Sequence, residues 1–166
     1  MLLFYAVILS SLLSLFGANA LCNHRQAAMI CGMPIKFQPA PGTILNCDFR
    51  GFIIPEMVKV RQVVVLWKHK SNARLAYVVP LSTTAPHDPS LAFELSGGPP
   101  IPRQGQDRST RIWVKCDMVS TVSTERLSMP VNRASRRAAS TPININISTP
   151  DLMAIKKLVA IALRLV

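Results

Sequence analysis

Three short polar clusters in this chain have the right residue types to act on a phosphodiester. Glu56, Lys59 and Arg61 lie in the Gly51 to Arg61 segment that leads into the apolar run beginning at Val63. Ser82, Thr83 and Thr84 follow directly on Val79-Pro80-Leu81, and Lys115 and Asp117 flank Cys116. A guanidinium offers a planar fork of donors to phosphate oxygens, hydroxyls add neutral donors, an ammonium adds a point charge, and a carboxylate can take a proton. Each group alone has an ordinary reading as a solvated flank, a turn or a cap. Together, at the ends of successive strands, they suit the binding and cleavage of a phosphodiester.

Other chemistries lack their residues. No Gly-rich phosphate loop, Cys-x-x-Cys pair, HExxH helix or serine elbow is present. The cysteines at 22, 31, 47 and 116 lack zinc-like spacing, and the histidines at 24, 69 and 87 lie near neither one another nor a cysteine, apart from His24 beside Cys22 in the leader. No metal site and no cofactor are expected. Cys47 and Cys116 fall in strand contexts, where a thiol usually behaves as a small buried hydrophobe.

Composition agrees with a basic, folded partner of a polyanion. The 166 residues hold 19 Lys+Arg against 8 Asp+Glu, a net charge of +11, with 49% hydrophobic residues. Four cysteines are too few for a disulfide-built scaffold. Beyond the leader no apolar run is long enough to span a bilayer, which excludes a multi-span membrane protein. That leader, residues 1–32, has two readings. Leu2 to Gly17 followed by Ala18-Asn19-Ala20 has the form of a secretory signal with a small-x-small cleavage site. Alternatively Met33 is the start, and residues 33–166 then carry 18 basic and 8 acidic residues, a net +10.

The elements that must position the polar groups read mostly as strands. Thr43 to Phe49 is a half-buried strand preceded by Pro39-Ala-Pro-Gly42 turn chemistry, and Val63 to Trp67 is a continuous β-branched run suited to burial on both faces. Further strands are expected at Arg74 to Val79, stopped by Pro80, at Leu91 to Leu95 and at Arg111 to Lys115, with a long Pro/Gly loop from Ser96 to Thr110. Five or six short strands without intervening helices point to a mainly β small barrel or sandwich over residues 33–130. Residues 131–148, with Arg133, Arg136 and Arg137, read as a mobile basic linker. Residues 149–166 read as an amphipathic helix opened by Thr149-Pro150-Asp151, as capping hydroxyl, first-turn proline and first-turn acid. Leu152, Ile155, Val159, Ala162 and Val166 form its apolar stripe, which packs on the barrel or on a partner.

Four blocks in order carry a resemblance: Lys36-Phe37 through Pro41-Gly42-Thr-Ile-Leu-x-Cys47-Asp48-Phe49; Pro55-Glu56-Met-Val-Lys59-x-Arg61-x-Val63-Val-Val65; Val78-Val-Pro80-Leu-Ser82-Thr83-Thr84; and Trp113-Val-Lys115-Cys-Asp117-Met-Val119. They are similar to the PemK/MazF family, in particular its YifN-like branch, the toxins of type II toxin–antitoxin systems. The resemblance implies an SH3-like barrel of five to seven strands with a C-terminal helix, working as a homodimer. It implies a cytoplasmic, metal-independent endoribonuclease acting on single-stranded RNA, often mRNA, and held in check by a cognate antitoxin. It places Arg61, Ser82 or Thr83, Asp117 and Glu56 in the catalytic roles, with Lys59, Thr84 and Lys115 binding substrate. An RNase acting on the host's own RNA has no evident use for export, which favours Met33 as the start and no stable membrane association. Departures from the pattern are Gln62 for the usual Pro, Lys115 for Arg, and Trp67 for Ser near the expected site. The alternatives are a catalytically degenerate barrel that binds nucleic acid or protein, including a gyrase-directed toxin, and a secreted protein with paired cysteines and a glycosylated Asn146.

Overall fold

The structure is a computed structural model that describes residues 34–96, 98, 100, 109–132 and 141–165. The leader, residues 101–108 of the expected Pro/Gly loop and the Arg133 to Arg137 stretch lie outside the described residues.

Three antiparallel strands form the frame: β1 (Ile44–Asp48), β2 (Val60–Lys68) and β3 (Leu75–Ser82). Ile44 faces Val64 and Cys47 faces Arg61 across the first pair, and Val63 faces Pro80 across the second. β3 then pairs on its other edge with two short strands in turn. β5 (Trp113–Lys115) sets Val114 against Leu81 and Trp113 against Ser82, while β6 (Ser120–Ser123) sets Ser120 against Val78 and Ser123 against Leu75. β4 (Ala92–Glu94) covers the far edge of β5. After β6, the 3-10 turn Thr124–Arg126 is capped by the Ser123 hydroxyl, which accepts from the Glu125 N–H. The turn swings the chain into β7 (Leu127–Ser128), which pairs back onto β1 through Cys47 and Leu127. The run β1, β2, β3, β6, β7 thus closes on itself as a small barrel, within a seven-stranded antiparallel sheet.

Closure divides the core in two. Leu45, Cys47, Val63, Val65, Ala76, Val78, Val122 and Leu127 share the cluster inside the ring. Ile44, Val64, Leu66, Val79, Leu81 and Val114 lie on the other face, where Ile155 and Val159 of the helix α1 (Thr149–Ala162) cover them. Val63 to Leu66 is buried on both faces, which is why that run shows no polar alternation. Gly42, at φ +87°, turns the chain into β1; its carbonyl accepts from the Ile147 N–H, and a Cβ there would sit 3.6 Å from Leu152.

The expected mainly β barrel with a C-terminal helix is what the chain forms, with three local corrections. β3 runs through Pro80 instead of stopping before it. Pro80 falls where the β3 edge changes partner from β6 to β5, a place where a missing N–H is tolerated within an interior strand. The helix cap is Ser148, one residue earlier than expected, whose hydroxyl accepts from the Asp151 N–H. The described part of the expected linker is bound to the barrel. Thr141–Pro142 (β9) pairs with Val131–Asn132 (β8), Ile145 accepts from the Ile44 N–H at 2.8 Å, and Ile145 and Ile147 pack on the outer cluster. The alternating Ile143-Asn-Ile-Asn-Ile147 is a period-two pattern with one face against the barrel.

Candidate active site

Of the expected residues the register brings Arg61 and Ser82 level with each other, while Lys115 is level with Pro80 and Asp117 lies in the turn beyond it, and Glu56 and Lys59 lie in the loop before β2. Antiparallel pairing of Val63 with Pro80 places Arg61, two residues before Val63, level with Ser82, two residues after Pro80. Ser82 is itself opposite Trp113, and Trp113 opposite Glu94. Cys47, opposite Arg61, belongs to the interior cluster with Val63. A single transverse row therefore runs Cys47, Arg61, Ser82, Trp113, Glu94 along one face, with the apolar interior at one end and charge at the other. Neighbouring strands lie about 4.8 Å apart, so Arg61 and Trp113 are carried on strands about 10 Å apart with Ser82 between them.

Arg61 is half-buried, and its Nε is the only buried side-chain nitrogen or oxygen among the described residues without a hydrogen-bond partner. Buried donors are otherwise almost always satisfied, so the Arg61 Nε stands out among the described residues as a donor with no acceptor. Ser82 is buried, and its hydroxyl accepts from the Thr84 N–H at 3.1 Å. That bond fixes the oxygen and leaves the hydroxyl proton to donate outward. Thr83 and Thr84 are exposed beyond it.

Lys115, half-buried, lies two residues beyond Trp113 on the same face of β5, and Asp117 is exposed in the turn that follows, where the Met118 N–H reaches the Lys115 carbonyl. Asp117 has no hydrogen bond or ion pair to another described residue, in contrast to Asp48, Glu94 and Glu125, each paired to an arginine. Glu56 and Lys59 are exposed in the loop that feeds β2. The Glu56 carboxylate accepts from the Ile53 N–H at 2.8 Å while its own N–H reaches the Ile53 carbonyl, so it closes a turn within its loop.

Sequence reasoning missed the neighbourhood of Trp113. The Arg111 guanidinium lies 4.7 Å from the Trp113 ring centre and is held by Glu94 in a fork of 2.5 and 2.6 Å. Glu94, Arg111, Ser96 and Thr110 line a pocket of about 330 Å³ there. The signal was positional, since only the β4–β5 register brings Glu94 level with Trp113. Trp67, expected near the site, is instead six residues along β2 from Arg61, roughly 20 Å away.

The cysteines do not form a centre. Cys47 lies inside the ring and Cys116 on the opposite face of the sheet, and no disulfide joins them. Pairing them with each other, as one arrangement of the secreted reading requires, is excluded by that placement. Burial pushes the Cys116 thiol up to about 11. Among the described residues no three His, Cys, Asp or Glu side chains gather as a metal-ligand set, and no helix is long and apolar enough to cross a membrane.

Comparison with known proteins agrees with the blocks that run along this row. Residues 40–148 match the family described as PemK-like, MazF-like toxin of type II toxin-antitoxin system. The protein YifN of Escherichia coli strain K12 is 36% identical over 115 residues, covering 58% of this chain and 76% of YifN. Among solved structures, an endoribonuclease in complex with its cognate antitoxin from Mycobacterial species is 18% identical, with a TM-score of 0.47 over 77% of this chain and 97% of that one. The Mycobacterium tuberculosis toxin MazF-mt6 is 12% identical, with a TM-score of 0.44 over 72% and 95% of the two chains. The family match spans more than half of the 166 residues and takes in every site residue named above, and on that ground the chain belongs to the PemK-like, MazF-like toxins of type II toxin–antitoxin systems, beside YifN.

Proposed function

We propose that the chain is an endoribonuclease that cuts single-stranded RNA at the Arg61 row without a metal ion. The observation that carries this reading is the unpartnered Nε of Arg61, half-buried and level with the Ser82 hydroxyl, in a member of a toxin family.

In this mechanism the RNA supplies its own nucleophile. The ribose 2′-OH attacks the adjacent phosphorus, a new P–O2′ bond forms, and the P–O5′ bond breaks, leaving a 2′,3′-cyclic phosphate and a 5′-OH. Asp117, a carboxylate free of local partners, takes the 2′-OH proton, and a proton from solvent goes to the departing 5′ oxygen. Charge growing on the phosphoryl oxygens is met by the Arg61 fork and the Ser82 hydroxyl, whose oxygen the Thr84 N–H already holds, with Thr83 beside them. Lys115, Lys59 and Thr84 hold flanking phosphates. Glu56 shapes the loop that delivers Arg61 to the row. The protein works as a homodimer in the cytoplasm, and an antitoxin with an acidic segment silences it by covering the basic end of the sheet.

The test is incubation of purified protein with single-stranded RNA in EDTA, with end analysis of the fragments. Fragments bearing 5′-OH ends are expected. Arg61→Ala is expected to lose about 10²- to 10³-fold in rate with an unchanged circular dichroism spectrum. Metal-dependent cleavage, or full cleavage by Arg61→Ala, contradicts the mechanism. RNA bound tightly yet left intact by the wild type points to the binding-barrel alternative.

A further inference from the structure

We propose that the far end of the β2–β3 hairpin is a second contact for single-stranded RNA, a stacking platform of Trp67, Tyr77 and His69 with Lys70 and Lys156 beside it and Lys68 on the adjoining face of the hairpin tip. The proposal rests on the RNA reading above and concerns a different surface from the Arg61 row.

Its first support is a register irregularity. β2 and β3 pair regularly up to Val65 and Val78, shift between Val65 and Trp67, and resume with Trp67 opposite Tyr77. Strict alternation would set Trp67 on the same face as Val63 and Val65, inside the ring. The shift turns it onto the face of Tyr77, which packs against the outer cluster. An irregularity that re-aims one side chain is a recurring device beside binding sites. Here it brings out a large aromatic ring that remains 38% exposed.

The second support is the arrangement of rings. Trp67 meets Tyr77 edge-on, with centres 6.4 Å apart at 82°, and His69 stacks on Tyr77 at 5.5 Å and 19°. His69 is held in place, since its Nδ1 accepts from the Asn72 N–H at 3.2 Å and its carbonyl accepts from Gln38 at 3.2 Å. Two rings on adjacent strands and a third one residue beyond β2, kept in position before any ligand arrives, form a surface on which bases stack whatever their identity.

Charge supplies the third. From Trp67 to Tyr77 the chain carries Lys68, Lys70 and Arg74 and no acid. Arg74 is ion-paired with Glu125. The Lys156 ammonium of α1 rests 5.2 Å from the Trp67 ring centre. A lysine on a flexible stem leaves a ring face easily for a phosphate, so the same movement opens Trp67 to a base and neutralises the backbone beside it. An ordinary surface tryptophan needs neither the register shift nor the ring stack. The platform lies roughly 20 Å along β2 from Arg61, so only an RNA extending several nucleotides beyond the cut reaches it.

The experiment compares a short oligonucleotide that spans the cleavage row alone with a longer mixed-sequence single-stranded RNA, for the wild type, Trp67→Ala, Trp67→Phe and the double change Lys68→Ala with Lys70→Ala. Steady-state cleavage and binding by fluorescence anisotropy are both read. For the long RNA, Trp67→Ala and the double lysine variant are expected to raise KM and Kd on the order of 10-fold with kcat unchanged, and Trp67→Phe to lie between. The short oligonucleotide should not distinguish the variants from wild type. Equal effects on both lengths, or none on the long RNA, overturn the platform and leave the nuclease reading standing. A wild type that binds long RNA in a Trp67-dependent way without cutting it supports the platform and removes the nuclease reading; failure to bind or cut removes both. Equally tight, Trp67-dependent binding of poly-glutamate would assign the face to an acidic peptide and overturn the proposal.

Discussion

Arg61 illustrates what a single residue contributes when the fold withholds its partner. A buried donor left unsatisfied costs about 1–3 kcal/mol, and the barrel sustains that cost with its paired, apolar interior next door at Cys47 and Val63. In the proposed reading, a phosphate drawn to the row offers the acceptor that the described residues do not supply, and part of that cost is returned on binding. Ser82 is the counterpart, its oxygen already fixed by the Thr84 N–H. Both residues were legible in the sequence because polar groups at the ends of β-branched runs stand out. The Glu94, Arg111 and Trp113 set was not, because spacing within the β4–β5 hairpin does not reveal which residues end up level. Cys116 gives the residue-scale prediction. With its folded pKa raised to about 11, the protonated thiol is favoured in the fold. This contribution to stability is whole below the unfolded thiol's pKa, near 8.5, and is lost as pH rises from there towards 11. Urea unfolding midpoints should fall across that window and fall less in Cys116→Ala, and a thiol reagent at neutral pH should label Cys116 only after unfolding.

Elements are positioned by pattern and by closure, and the two differ in how far the sequence reveals them. β2 was plain from five consecutive apolar residues, and α1 from its spacing of Leu152, Ile155 and Val159. β6 and β7 were hidden because Ser120–Ser123 is mostly polar and Leu127–Ser128 is two residues long. They exist because the capped turn at Thr124–Arg126 delivers Leu127 to Cys47, a long-range consequence that no local window contains. The Ile143 to Ile147 alternation was readable but was overshadowed by the basic stretch before it. α1 is held by Ile155, fully buried on the outer cluster, and begun by the Ser148 cap. Ile155→Ala is expected to destabilise the protein by about 2–5 kcal/mol, through lost burial and the cavity left behind. Ser148→Ala should cost about 1 kcal/mol. Chemical denaturation of the two variants checks both, and equal costs would contradict the packing described.

At the scale of the molecule, a net charge of +11 on 166 residues meets a barrel whose Arg61 row and hairpin platform lie at opposite ends of β2. If the proposed RNA reading holds, a single strand reaching from one to the other releases counterions from both. With Arg61, Lys115, Lys68 and Lys70 each neutralising a phosphate, log Kobs against log salt should fall with a slope of about −3, and the double lysine variant should reduce its magnitude by about 1.4. A slope unaffected by salt would mean that phosphate contacts do not govern binding.

The row itself is tested most directly by a double-mutant cycle on RNA cleavage with Arg61→Ala, Ser82→Ala and both together, read as kcat/KM in EDTA. If the guanidinium and the hydroxyl serve the same phosphate, the double variant loses less than the two single losses combined, with a coupling of at least about 1 kcal/mol. Strict additivity, or wild-type cleavage by Arg61→Ala, would show that the two groups do not act on one phosphate.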